Sequence, residues 1–106
     1  MKETGFEELF AYGTLLDPAV QQRVIGRVVE GVPDSLHGYT KSTVKLGEAI
    51  YPIALPDPGG RIQGARLLLS EEELKRADAY EGPSYQRVKR SLESGRSAWV
   101  YVAPEK

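Results

Sequence analysis

Two hydrophobic periods run through this chain, and the switches between them mark its elements. Leu9-Phe10-Ala11-Tyr12 is an unbroken apolar run, the pattern of a strand buried on both faces. Met1 to Glu7 reads as a short frayed lead. The run breaks at Gly13-Thr14, and Leu15-Leu16-Asp17-Pro18 opens a helix with Asp17 at the N-cap and Pro18 at the first helical position. That helix is expected from Pro18 to Ile25, with Val20 and Val24 inward and Gly26 ending it. Arg27 to Gly31 is a short strand candidate, followed by a Val32-Pro33-Asp34 turn. Ser35 to Thr43 reads as a strand, and Val44 to Ala54 as a weaker one interrupted at Gly47 and Pro52. Pro56-Asp57-Pro58-Gly59-Gly60 carries the composition of a turn.

Arg61 to Leu69 is a strand that becomes wholly apolar as it nears Ser70. Ser70-Glu71-Glu72-Glu73 is a capping box, with Leu69 and Leu74 at the staple positions. It predicts a helix from Glu71 to Tyr80, stopped by Gly82-Pro83. Gln86 to Leu92 is a strand, Glu93-Ser94-Gly95-Arg96 a hairpin turn, and Ser97 to Ala103 a strand with Trp99 and Tyr101 on one face and Val100 and Val102 on the other. Ala103 to Lys106 is a tail. The sum is a single α+β domain over residues 1–106: a compact, mixed but mostly antiparallel β-barrel of about six strands, with two short helices.

Composition narrows the chemistry. A chain of 106 residues can bury a core without covalent staples. There is no cysteine, hence no disulfide, no thiolate nucleophile and no cysteine metal site, and the single histidine, His37, cannot form a histidine metal cluster. His37 stands beside Gly38 with no evident partner and reads as structural. The net charge of −1, with both signs interspersed and no basic stripe, argues against nucleic acid as a partner. No segment has the length of a membrane span, and the N-terminus lacks the apolar run of a signal peptide, so the expected setting is soluble and cytoplasmic.

Helical geometry then singles out one carboxylate. With Leu74 at the centre of the buried face, Ala77 lies about 60° to one side, Asp78 about 40° to the other and Glu81 about 20° away. Glu71, Glu72, Lys75 and Arg76 occupy the solvated face. Glu81 therefore points the way a core leucine does, and desolvation is expected to raise its pKa toward neutrality, where a carboxyl can take and return protons. The plainer reading is that the helix frays before Glu81, or that Glu81 pairs with Arg87. The second constellation, Tyr12-Gly13-Thr14-Leu15, is either a simple strand-to-helix turn or a set of backbone N–H groups suited to an anion. It holds neither a dinucleotide nor a phosphate-loop fingerprint. Tyr51-Pro52 is a pocket wall or edge packing. Tyr85 and Arg87, two apart on a strand, share a face, where they contact a ligand or Arg87 holds Glu81 or Asp78.

Phe10-Ala11-Tyr12-Gly13-Thr14-Leu15 and Asp78-Ala79-Tyr80-Glu81-Gly82-Pro83-Ser84-Tyr85-Gln86-Arg87, in this order and at this separation, resemble the gamma-glutamylcyclotransferase-like superfamily of the small avirulence-induced-gene type. Gly38-Tyr39, Tyr51-Pro52-Ile53, Gly64 and Trp99-Val100-Tyr101 add intermediate matches. Thr14 stands where many members carry serine. The resemblance implies a cavity between the Tyr12–Leu15 loop and Glu81, with Glu81 as catalytic acid/base. It also implies a metal-free, cofactor-free reaction on a small gamma-glutamyl amide, in which the substrate α-amine attacks its own side-chain carbonyl and releases 5-oxoproline and a free amine. Tyr12, Gly13, Thr14, Leu15, Tyr51, Pro52, Tyr85 and Arg87 are the expected substrate-binding residues. The alternatives are a non-catalytic protein that keeps the fold and cavity for a small ligand, and a hydrolase that would yield glutamate.

Overall fold

The structure, a computed structural model, describes residues 6–104. Five strands, two helices and two 3-10 turns follow in the order β1 (Phe6–Ala11), 3-10 turn (Thr14–Leu16), α1 (Pro18–Val24), β2 (Val32–Leu46), β3 (Ala49–Ser70), α2 (Glu71–Glu81), 3-10 turn (Gly82–Ser84), β4 (Gln86–Ser91) and β5 (Ser97–Val102). The strands form one sheet in the order β2-β3-β1-β5-β4. β1 is central: antiparallel to β3 from Phe6↔Ser70 to Ala11↔Ala65, and parallel to β5 at Leu9↔Trp99. All other pairings are antiparallel.

Alternation along β1 explains why it needs cover on both sides. Leu9 and Ala11 join Leu67, Leu69 and Tyr101 beneath Ile25, Leu74 and Ala77 of the helical layer. Phe10 and Tyr12 join Leu36, Ile62, Val100 and Val102 on the other face, where the sheet curls round on itself. The curl is tied by Ala103 N–H donating to the Ala54 carbonyl at 3.1 Å and Glu93 N–H donating to the Ser35 carbonyl at 2.8 Å. The result is a curled half-barrel with two helices on one side.

Several boundaries differ from the sequence reading. Phe6 and Glu7 of the expected frayed lead Met1–Glu7 belong to β1; residues 1–5 of that lead and 105–106 of the expected tail lie outside the described residues. Residues 27–31 form no strand, and Val32, Pro33 and Asp34 pair with Arg66, Ala65 and Gly64 instead of turning. The described residues form five strands rather than about six because residues 27–31 form none and the Pro56–Gly60 segment is not a reversal. β3 runs through it, and the register shifts from His37↔Arg61 to Tyr39↔Pro56, so residues 57–60 bulge out opposite Gly38. The local turn chemistry is present, with Gly59 N–H donating to Asp57 Oδ1 at 3.2 Å, but β2 pairs on either side of it. A Cβ at Gly60 would lie 2.3 Å from the Tyr39 carbonyl oxygen, which is why glycine ends the bulge. The true reversal is at Gly47-Glu48, between the paired residues Leu46 and Ala49, with Gly47 at φ +65°. His37 also has a partner, Glu93 Oε1 at 2.7 Å from its Nε2.

α2 starts as its capping box dictates. Ser70 Oγ accepts from Glu73 N–H at 3.1 Å, and Ser70 N–H donates to Glu73 Oε1 at 2.9 Å. Arg27 grips the same carboxylate, Nε to Oε2 at 2.7 Å, and is the largest cause of a Glu73 pKa lowered from 4.5 to about 2; the Ser70 N–H bond adds to it. Glu73→Ala should therefore cost about 1–2 kcal/mol at neutral pH. Because the folded pKa is depressed, this contribution is complete above pH 4.5 and fades as pH falls toward 2. Denaturant titrations should show native protein and variant well apart at pH 7 and converging at pH 2.

Candidate functional site

β1 delivers Tyr12 at the end of a strand covered on both faces, and the chain then turns sharply. Tyr12 OH donates to the Tyr101 carbonyl and accepts from Ala54 N–H at 3.0 Å, fixing the turn to β5 and β3. Gly13 is required by contact rather than by φ: a Cβ there would lie 2.8 Å from Cγ of Pro52. The bonds that close the turn begin only with Leu16 N–H to the Gly13 carbonyl at 3.0 Å and Asp17 N–H to the Thr14 carbonyl at 2.9 Å. The N–H groups of Gly13, Thr14 and Leu15 precede that pattern, as donors do at the start of any helical turn.

Gln21 holds the exit of the turn. It is buried on α1, donates from Nε2 to the Leu15 carbonyl at 2.8 Å and accepts Val29 N–H on Oε1 at 2.8 Å. The sequence reading passed over it, although a glutamine about 60° from Val24 on an otherwise apolar face was the available signal. Val20 and Val24 are only partly buried against the same core. Gln21→Leu keeps the bulk and orphans two backbone groups, so a loss of about 2–4 kcal/mol is expected, read as a lower midpoint of chemical unfolding.

Opposite the turn, α2 ends at Glu81, and Gly82, at φ +76°, stops it. Helical periodicity holds to this last residue, so Glu81 faces inward. It borders a cavity of about 230 Å³ whose walls include Tyr12, Gly13, Thr14 and Leu15. Tyr51 and Pro52 of β3 form another wall, and Tyr85 closes it from beyond α2, donating to the Pro52 carbonyl at 2.6 Å. Among the described residues no group is hydrogen-bonded to the Glu81 carboxyl, and burial raises its pKa from 4.5 to about 7. Burial, reinforced by the charge of Glu81, also pushes the Tyr85 phenol up to about 12, and burial raises Tyr12 and Tyr101 further still.

Arg87 is the predicted site residue that does not line this cavity. Its Nε lies 2.8 Å from Asp78 Oδ1, and its guanidinium stacks 4.3 Å over the Trp99 ring. It borders a separate shallow depression with these two residues. Asp78 also accepts from Tyr101 OH at 2.7 Å, so the last turn of α2 is anchored to β5 three residues before Glu81. The cavity residues that the sequence did not place in the site are Leu9, Phe10, Ala11, Leu46, Tyr80 and Tyr101. Tyr80, on the outward side by periodicity, reaches the cavity because its hydroxyl lies 2.8 Å from Thr14 Oγ1. No group of three or more His, Asp or Glu side chains that could hold a metal ion is gathered among the described residues. Nor is any of their helices long and apolar enough to cross a membrane.

A family model described as gamma-glutamyl cyclotransferase, AIG2-like, matches residues 9–106. Over 81 residues the chain is 36% identical to Protein AIG2 C of Arabidopsis thaliana, covering 76% of this chain and 48% of that protein. It is 35% identical over 81 residues to AIG2-like protein C of the same plant, covering 76% and 46%. The chain thus spans about half the length of the curated relatives it matches. A solution structure of an Arabidopsis thaliana protein superposes with a TM-score of 0.83 at 28% identity, covering 99% of this chain and 73% of that one. A structure named gamma-glutamyl cyclotransferase superposes with a TM-score of 0.75 at 16% identity, covering 94% and 68%, a likeness of fold.

Proposed function

The chain belongs to the AIG2-like gamma-glutamyl cyclotransferase family, and from that premise we propose that it is a gamma-glutamyl amide cyclotransferase with Glu81 as its general acid/base. One observation carries the reading: a carboxyl with a pKa of about 7 and no hydrogen-bond partner among the described residues, looking into a cavity whose other side is the turn of Gly13, Thr14 and Leu15, whose N–H groups precede the first bond of that turn. A carboxylate that served the fold alone would be paired or turned to water.

The turn of Gly13, Thr14 and Leu15 holds the substrate α-carboxylate or the developing oxyanion through backbone donors. Confinement brings the α-amine against the side-chain carbonyl, and such orientation contributes several kcal/mol. The new bond joins the α-nitrogen to Cδ; the bond that breaks joins Cδ to the leaving nitrogen. One proton passes from the attacking nitrogen to the leaving nitrogen through Glu81, and the extra proton of the ammonium form ends on the released amine. At pH 7 Glu81 exists in both forms, so one carboxyl serves both transfers. An intramolecular attack needs no nucleophilic side chain.

The test is a panel of gamma-glutamyl amides incubated with the native protein, with products read by mass spectrometry. 5-Oxoproline plus free amine is the expected result. Glutamate would point to hydrolysis. No product with any amide, alongside saturable ligand binding, would replace the enzyme reading with that of a binding protein.

A further inference from the structure

We propose that Tyr101 and the Asp78–Arg87 pair are positioning residues for Glu81, holding the last turn of α2 where its carboxyl meets the substrate. This rests on the cyclotransferase reading above and adds to it the means by which the acid/base is kept in place.

Glu81 has little to fix it directly. It is the final residue of α2, Gly82 breaks the helix at φ +76°, and no group among the described residues is hydrogen-bonded to its carboxyl. The place of the carboxyl is therefore set by the backbone of residues 78–81, and a terminal helical turn frays when left alone. This turn carries Asp78 and Glu81 and no basic residue, at the negative end of the helix dipole. An aspartate there needs partners from elsewhere in the fold, and it has them. Tyr101 OH donates to Asp78 Oδ1 at 2.7 Å, Arg87 Nε lies 2.8 Å from the same oxygen, and Arg87 Nη2 donates to Oδ2 at 3.1 Å. Arg87 in turn lies 4.3 Å over the Trp99 ring, and Trp99 Nε1 donates to Glu7 Oε1 at 3.1 Å. The Asp78 carbonyl also accepts the Gly82 N–H that closes the helix. The final turn is thus tied to β1, β4 and β5.

Tyr101 joins the two sides of the site. Its hydroxyl holds Asp78, and its carbonyl accepts the Tyr12 hydroxyl at the opposite turn. One residue of β5 therefore sets the span between the Tyr12–Leu15 turn and Glu81. Stability alone gives the assembly a weak purpose: the side chains of Asp78 and Arg87 are 37% and 26% exposed, and a pair so open to water contributes little to folding. Position is a stricter demand, since displacing a catalytic group by about 1 Å costs on the order of 100-fold in rate.

Tyr101→Phe removes the hydroxyl and keeps the ring and the carbonyl; Asp78→Ala removes the whole anchor. Both variants are expected to fold. The kcat for 5-oxoproline release should fall roughly 10-fold in the first and roughly 100-fold in the second, with KM changed by less than about twofold. Tyr101→Phe should also move the acid limb of kcat/KM below its native place near 7, because a loosened Glu81 reaches water. That substitution changes no charge around the carboxyl. The other titratable groups of the cavity lining are the phenols of Tyr12, Tyr51, Tyr80 and Tyr85, and Lys41, with its Nζ 3.5 Å from the Tyr12 carbonyl oxygen, is untouched. A merely structural role would lower the melting point and leave the limb where it is. An unmoved limb, or native kcat in the folded variants, would overturn the inference and leave the cyclotransferase reading intact. So would failure of both variants to fold, which would assign the anchor to the fold. No 5-oxoproline from the native protein with any amide of the panel would overturn both.

Discussion

Glu81→Gln should abolish most turnover and at the same time make the protein more stable at alkaline pH. Removing a positioned acid/base typically costs 10²–10⁴-fold in rate, and the amide of glutamine fits the same space with no titratable proton. On the proposed mechanism native kcat/KM should rise with pH through an acid limb centred near 7, since only an ionised Glu81 could take the proton of the attacking amine. The stability effect has the opposite sign to that of Glu73. A folded pKa raised above 4.5 means that the folded state binds more protons than the unfolded chain between pH 4.5 and about 7, so native stability falls as pH rises through that window. The glutamine variant lacks this slope. At pH 8 it should be more stable than the native protein by about 1–2 kcal/mol, below what the full shift implies, because the carboxyl looks into a solvent-connected cavity. Activity assays and thermal melts across pH 4–9 check both halves. A glutamine variant that loses stability at pH 8 would show that Glu81 serves the fold, and one that retains full turnover would remove it from the chemistry.

Gly64→Ala should be the most damaging small substitution in the molecule. Gly64 lies on β3 where that strand passes the end of β1, and a Cβ there would sit 2.2 Å from the Ala11 carbonyl oxygen and 2.8 Å from Cζ of Phe10. The first is backbone of the central strand and cannot step aside; the second is a ring with 1% of its surface exposed. A single methyl group must push β1 and β3 apart, at a cost of about 3 kcal/mol or more. Because Ala11 leads directly into Tyr12, the cavity should be distorted in whatever fraction remains folded. Chemical denaturation reads the first effect and turnover per folded molecule the second. An unchanged midpoint would mean that the strands have room the close approach denies.

The strength of local signals decides what the sequence makes legible. Ser70 and Glu73 make all their capping contacts within four residues, so α2 can be read from them almost to its last residue, and Glu81 follows from its angle. Trp99, Val100, Tyr101 and Val102 alternate cleanly and are found on the faces that alternation assigns. The misreadings fall where a local signal serves a distant pairing. Pro56 to Gly60 has the composition of a reversal, yet β2 pairs on either side of it and turns it into a bulge. Pro52 looks like a strand breaker but pairs with Thr43 inside β3. Arg87 carries the right charge for a substrate anion, but Asp78 and Trp99 claim it, a choice made by packing and not by spacing. Tyr80 enters the cavity through a hydroxyl contact 66 residues away in sequence, which no periodicity encodes.

The position of β1 has a consequence for how the molecule is made. Of the five strands, the one at the middle of the sheet emerges first, and one of its two neighbours, β5, emerges last. Until residue 102 has emerged, Leu9 and Phe10 lack the cover that Tyr101, Val100 and Val102 supply, and the Tyr12 hydroxyl lacks the carbonyl 89 residues downstream that holds it. A segment ending before β5 cannot assemble the cavity, so the site is expected to form only once residue 102 has emerged. Throughout that interval the apolar run Leu9-Phe10-Ala11-Tyr12 is incompletely covered and must be kept from pairing with other chains.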